Sequence, residues 1–460
     1  MQPKRVIFLL VFLLSGVAPA NPTYGSESLH RLALAEAVEM ARTNNAMIRE
    51  ATARSQAAVE EHRARRADLF PKASAAYGYA RLGETPFMYF TQTLVRPDPR
   101  VAPFYVVSGS QRIEAPTGSK DNFHWEVSLS QPLFTGFALT TRVKIADLGI
   151  EMAAVQKAQA EADVVKQAKL AFFDTLMAES LLATAKDAEA TLQAHVTDAK
   201  QFFDQGLIAF NDLLQSEVAL ADAVQKRATA EAGLEMAGAA LNTVIGVDLE
   251  TPVALVPVEV LPAPPAPLST LIPEAENRRP ELRYLDLTLA QLDAGARLAA
   301  SAYYPNVSLV GQYEQDGDDP RATQNDFRNS YNTTVALQAQ WTFFEWGKTN
   351  AEVAKLRREH EALAAKADGV RDSVHLEVKN ARVNLAVALT NIKTAQTALD
   401  QADENLRITR LRFQQQVATA TEVLDATTAQ RQARTNFHVA RYSALKAEAE
   451  LQRALGGGQI

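Results

Sequence analysis

The sequence predicts an α+β membrane protein made of two structural repeats, each a β-hairpin joined to a very long α-helical hairpin. Three observations carry this prediction. Shifting the chain by 210 positions places Phe134 on Phe344, Phe203 on Phe413, Leu214 on Leu424 and Gly246 on Gly456, with no gap. A repeat that long is two copies of a half-molecule, outside the short periods of solenoids. Proline is absent from Leu133 to Thr251 and again after Pro320, as helix interiors require, since proline removes a hydrogen bond and clashes with the preceding turn. Finally, just ahead of each proline-free stretch the hydrophobic period falls from 3.6 to 2, the period of a strand.

Composition sets the outer bounds. The chain has 460 residues, 22% charged and 47% hydrophobic, with a net charge of −7, a balance that argues against a nucleic-acid partner, which would want a basic face. Lys4 and Arg5 precede the apolar run Val6–Leu14 and the small residues Ala18-Pro19-Ala20, so residues 1–20 read as a secretory signal peptide. No later stretch reaches 18 consecutive apolar residues, so any membrane entry after that peptide must use strands. Cysteine is absent, which excludes disulfides, thiolate metal sites and a lipid-modified N-terminal cysteine.

The first repeat is expected over 21–250. A helical pattern from about Ser28 to Leu69, with Leu32, Leu34, Ala37 and Met40 on one face, stops before Pro71. A strand at about 72–81 sets Ala73, Ala75, Tyr77 and Tyr79 against Lys72, Ser74, Ala76 and Gly78. After a long loop, a second strand at about 122–133 sets Phe123, Trp125, Val127 and Leu129 against His124, Glu126, Ser128 and Ser130. Helices follow at about 137–203 and 210–245, with Leu192, Val196, Ala199 and Phe203 as a predicted apolar stripe and Gly206 at the turn. Prolines crowd the linker 251–273, which reads as extended and semi-rigid.

The second repeat, 274–460, repeats the device with strands at about 306–313 and 331–343 and helices at about 348–413 and 420–455. Pro71 matches Pro305 at an offset of 234, so the first hairpin carries 24 extra residues between Arg81 and Asp121, expected as a solvated loop.

Trp125, Trp341 and Trp346 lie in or beside these strands, as aromatic residues do at bilayer interfaces. The opposite faces carry Ser, Asn, Gln, His and Glu, which suit a water-filled lumen better than a sandwich core. Four strands cannot close a barrel, and open edges are not tolerated in lipid. Several copies must therefore share one ring: three would give twelve strands, and this argument leaves dimer and tetramer open. The helix at 137–203, about 100 Å long at 1.5 Å per residue, outreaches a bilayer, so the hairpins must project into an aqueous compartment.

These residues resemble the TolC-like outer membrane efflux protein family. The resemblance rests on Val423-Leu424-Asp425-Ala426-Thr427-Thr428 just past the second helical tip and on Gln131-Pro132-Leu133-Phe134-Thr135-Gly136 at the strand-to-helix junction, matched more loosely by Trp341 to Gly347. The ending Ala454-Leu455-Gly456-Gly457-Gly458 is also similar. The resemblance implies a homotrimer in the outer membrane of a Gram-negative bacterium, with a twelve-stranded barrel continuing into a helical tunnel across the periplasm. It also implies a periplasmic adaptor protein and an inner-membrane transporter as partners, and efflux or type I secretion as the task.

On the same resemblance, Glu422 and Asp425 form the pore constriction, and the turns Gly206-Leu207 and Gln416-Val417 contact the adaptor. Glu422 has a competing role, because Thr419-Ala420-Thr421-Glu422 fits a helix capping box. The arginine and tyrosine that tie the closed tip in the family's type member are replaced by Ala418 and Phe413. No cofactor or catalytic centre is expected: the histidines are scattered, and Gly347-Lys348-Thr349 lacks the first glycine of a phosphate loop, Thr342 standing there. Asp316, Asp318 and Asp319 read as a solvated acidic loop rather than a calcium site. A periplasmic adaptor is the rival function, disfavoured by two helical hairpins where an adaptor has one. A soluble coiled-coil protein is disfavoured by the tryptophans on alternating strands.

Overall fold

The computed structural model describes residues 31–457 apart from 101, 103, 104 and 328; the signal-peptide reading of 1–20 and the last glycine of the C-terminal motif lie outside the described residues. The chain begins with β1 (Arg31–Leu32), α1 (Leu34–Asn44) and α2 (Ala46–Ala67), followed by strands β2 (Lys72–Arg81), β3 (Phe87–Pro97), β4 (Tyr105–Pro116) and β5 (Asp121–Thr135). The first helical hairpin is α3 (Ala138–Asp204) and α4 (Phe210–Ile245). After β6 (Ala254–Leu255), α5 (Leu268–Arg278) and α6 (Pro280–Ala300) come β7 (Asn306–Gly317) and β8 (Tyr331–Gln340), then the second hairpin, α7 (Lys348–Gln414) and α8 (Ala420–Ala454). Each of α3 and α7 has 67 residues, about 100 Å of continuous helix. Among the described residues no helix is both long and apolar enough to cross a membrane.

The main sheet has the order β2-β5-β7-β8, all antiparallel. Its register puts Tyr77, Trp125 and Gln315 abreast, and likewise Leu129, Gly311 and Val335. This gives one apolar face, on which Val335 is 75% and Leu337 66% exposed. The other face is a polar ladder: Ser74 and Ser128 hydroxyls lie 2.7 Å apart, Asn332 donates to Glu314 at 3.0 Å, and His124 Nδ1 lies 2.8 Å from Asp316. Pro132, which cannot donate to a ladder, sits beside a bulge in the β5–β7 register. The outward edges of β2 and β8 have no strand partner among the described residues.

The expected loop between Arg81 and Asp121 is instead a second ribbon. β3 and β4 pair antiparallel, and Leu82 N–H to Lys120 O together with Thr117 N–H to Pro86 O continues the β2–β5 hairpin into them. The reason is compositional, since Phe87-Met88-Tyr89-Phe90-Thr91 and Tyr105-Val106-Val107 favour strands. A second difference concerns the first helical stretch, which breaks at Asn45. That side chain accepts from Met47 N–H at 2.9 Å and starts α2 as a new helix.

Both breaks between short helices serve the long hairpins. Asn44, the last residue of α1, and Asn45, between α1 and α2, donate to the last carbonyls of α4, Ile245 O and Val244 O. Arg279, between α5 and α6, donates Nε–H to Ala454 O at 2.6 Å at the end of α8. The returning helices α4 and α8 each then stop on a left-handed glycine pressed against that break. A Cβ on Gly246 would lie 2.6 Å from the Asn44 Cβ, and one on Gly456 2.6 Å from the Arg278 carbonyl oxygen. Around the second cup, Arg279 pairs with Glu377 at 2.7 Å, and Arg453 pairs with Asp163 and Glu281 at 2.7 and 2.6 Å.

The two largest cores lie beside these cups. One joins Val38 and Ala41 of α1 to Phe172 and Leu176 of α3, Leu241 and Ile245 of α4, and Tyr442 and Leu445 of α8. The other joins Leu271 and Ala275 of α5 to Val378 and Leu385 of α7 and Ala444 and Leu451 of α8. Leu255 of β6, in the linker, is buried in the first core while β6 pairs in parallel with β1.

Gly246→Ala and Gly456→Ala should each destabilise the fold by about 2–4 kcal/mol through left-handed strain and backbone overlap. Gly233→Ala, in α4 with no neighbour within 4 Å, should instead stabilise by about 0.5–1 kcal/mol. Thermal unfolding of the three variants checks the contrast, and equal midpoints for all three would contradict it.

Candidate functional site

The far end of the helical hairpins brings the predicted site residues into one region. Each long helix terminates in the same two-bond turn. Gly206 N–H donates to Phe203 O and Leu207 N–H to Phe202 O, both at 2.8 Å; Gln416 N–H donates to Phe413 O at 2.9 Å and Val417 N–H to Arg412 O at 2.8 Å. This pattern needs a left-handed residue after the helix, supplied by Gly206 at φ 72° and by Gln416 at φ 63°. Glutamine therefore occupies a backbone state that favours glycine. All four turn residues are exposed.

Glu422 performs the capping role that the Thr419–Glu422 spacing allows. Glu422 N–H donates to Thr419 Oγ1 at 3.2 Å, and the Thr419 N–H donates back to Glu422 Oε1 at 3.3 Å. The same carboxylate lies 3.6 Å from Arg412, which also donates to Val417 O at 3.4 Å. Asp425, one turn into α8, is exposed and has no hydrogen-bond or ion-pair partner among the described residues. The two carboxylates thus differ: one holds the turn together, and the other is free to face solvent.

Behind the turns lies an aromatic core that the sequence pattern did not identify. Phe413 is 3% exposed, and its ring lies 5.3 Å from Phe202 and 4.9 Å from the His195 imidazole; Ala420, Val423 and Ala418 complete the cluster. In α3 the buried stripe runs through Leu192, His195 and Ala199, not through Val196, and Phe203 packs locally on Phe210 at 5.4 Å. The available signal is the i, i+3, i+7 spacing of Leu192, His195 and Ala199, which an apolar pattern hides because histidine is not counted as apolar. Thr421 of α8 and Gln215 of α4 meet at 3.3 Å, a polar contact between the two hairpins.

At the strand-to-helix junctions each repeat uses two successive left-handed residues, one glycine and one aromatic, in opposite order: Gly136-Phe137 and Trp346-Gly347. Gly136 cannot carry a side chain, because its Cβ would lie 2.4 Å from Ser301 O. Around these junctions Phe137, Tyr303, Tyr304, Trp341, Phe343, Phe344 and Trp346 are all exposed, Trp346 at 90%. Such a band of rings suits a membrane–water interface. In the outer acidic loop Asp319 accepts from Thr323 and Gln324 N–H at 2.6 and 3.0 Å. Those backbone donors, Gln324 foremost, hold its carboxyl below the usual range. Its charge serves the turn.

The structure is thus two long α-helical hairpins joined to an open sheet with one exposed apolar face. The chain belongs to the outer membrane efflux protein family, whose model matches residues 37–247 and 271–457. It is 22% identical over 294 residues to the outer membrane protein TolC of Escherichia coli, an alignment covering 62% of this chain and 60% of TolC, so the chain matches under two thirds of that relative's length. In fold it is similar to the outer membrane channel CmeC of Campylobacter jejuni, with a TM-score of 0.75 at 16% identity over 92% of this chain and 86% of that one. The MtrE outer membrane channel of Neisseria gonorrhoeae, solved in its open state, gives 0.71 at 19% identity over 92% and 89%.

Gln416→Gly should stabilise the second tip by about 1 kcal/mol by relieving the left-handed strain, whereas Gly206→Ala should cost a similar amount. Amide exchange at the tips checks both, and faster exchange in Gln416→Gly would contradict the turn assignment.

Proposed function

We propose that this chain is the outer-membrane exit duct of a tripartite export system in a Gram-negative bacterium: a passive, non-enzymatic conduit for small molecules such as drugs or metals, or for secreted proteins. The observation that carries this reading is the four-stranded sheet with an exposed apolar face, a polar opposite face and two unpartnered edges. In lipid each edge must find a strand. In a homotrimer, β2 of one copy pairs with β8 of the next, and a twelve-stranded ring closes with its polar ladder toward an aqueous lumen. The helices then project from the aromatic band as a periplasmic tunnel. The rival reading as a periplasmic adaptor gains nothing from this sheet.

In this arrangement the turns Gly206-Leu207 and Gln416-Val417 lie at the inner end, where an adaptor protein joins the duct to an inner-membrane transporter. Glu422 and Asp425 ring the constriction, six carboxylates in three chains, and favour cations. Glu422 is held by its cap and by Arg412, so the free Asp425 sets most of the selectivity. The inner end closes differently from the family's type member: Phe413 sits in the aromatic core, and the arginine that braces the tip is Arg412.

Asp425→Ala is expected to raise single-channel conductance in planar bilayers and weaken cation preference, while removal of the β3–β4 ribbon changes selectivity less. Unchanged conductance and selectivity in Asp425→Ala would place the constriction elsewhere.

A further inference from the structure

The imidazole of His195 is 3% exposed, and its Nε2 has no hydrogen-bond partner. A buried, unpaired polar atom costs stability, and here it lies in the contact between the two hairpins. The ring packs on Phe413 of α7, in the same cluster as Phe202 of α3 and Val423 of α8. Less than a turn away, Leu192 of α3, Ala219 and Ala223 of α4, and Leu424 and Thr427 of α8 line a small cavity of about 50 Å³, room for water to enter if the hairpins part. We propose that His195 is a proton-operated latch: neutral, it lets the hairpins pack closed at the inner tip, and protonated, it drives them apart. The proposal rests on the channel reading for its consequence, though not for the local event.

Burial holds the imidazole below its usual range. The charged groups acting on it are Asp198 on its own helix, which favours the cation, and Arg410 on α7, which opposes it. In a parted tip the ring is hydrated and its pKa returns to about 6.5. The closed state therefore binds the proton less well, keeps its full stability above that value and loses it as pH falls through the window below. One unit below 6.5, the open-to-closed ratio should rise by up to about tenfold per chain. Unperturbed carboxylates titrate near 4, outside this window.

The test is amide exchange, corrected for its intrinsic pH dependence, at residues 195–215 and 405–425 of the full-length protein in detergent, from pH 7.5 to 5.5, with bilayer conductance alongside. Wild-type tips should lose protection and conductance should rise as pH falls, while His195→Phe stays protected and closed. His195→Met provides a second neutral variant should the first misfold. Wild-type protection that is flat across the range overturns the latch without reference to any variant, and so does an equal loss in both variants. Loss of protection in wild type alone, with no current at any pH, keeps the latch and overturns the channel reading.

Discussion

A sheet with two unpaired edges and one greasy face cannot stand alone, and most of this molecule follows from that constraint. In water the face of Val335 and Leu337 would aggregate, and in lipid the free N–H and C=O groups of β2 and β8 would each cost several kcal/mol. Closure by further copies answers both problems. In the proposed ring it also sets how each chain would enter and leave. The left-handed pairs Gly136-Phe137 and Trp346-Gly347 turn a strand sharply into a helix at the level of the aromatic band.

The second organising device is the pair of glycine cups. Each short-helix break presents polar side chains to the carbonyl end of a returning long helix, and a glycine lets the backbones touch. Gly246 and Gly456 are related by the same offset as the helices, so the duplication preserved a packing contact as well as a pattern. The partners have diverged, from Asn44 and Asn45 in one copy to Arg279 with its carboxylates in the other. The equivalence is geometric, and it anchors the returning ends of both hairpins midway between tip and sheet.

The sequence made the fold class legible because its strongest signals are long. An absence of proline over a hundred residues and a period-2 alternation ending in tryptophan both survive without tertiary information. Shorter features were lost. The β3–β4 ribbon does not show in the repeat offset, which gives only its length; its signal is the strand-forming content of Phe87–Thr91. Asn45 lies within a continuous helical pattern, and only its side-chain cap on α2 marks the break. At the candidate site the cap at Glu422 was visible as a spacing. The burial of His195 against Phe413 depends on how two helices distant in sequence are rotated, which one chain's periodicity does not encode. Ala418 and Phe413 stand where the family's type member has an arginine and a tyrosine, and here both belong to the apolar cluster behind the turns.

The account stands on closure of the sheet by other copies of the chain, and the most direct measurement is the native mass of the detergent-extracted protein. It predicts particles of three chains that stay together after lipid is removed. A stable, folded monomer would contradict it, because β2 and β8 would then have no partners and the sheet could not line a pore.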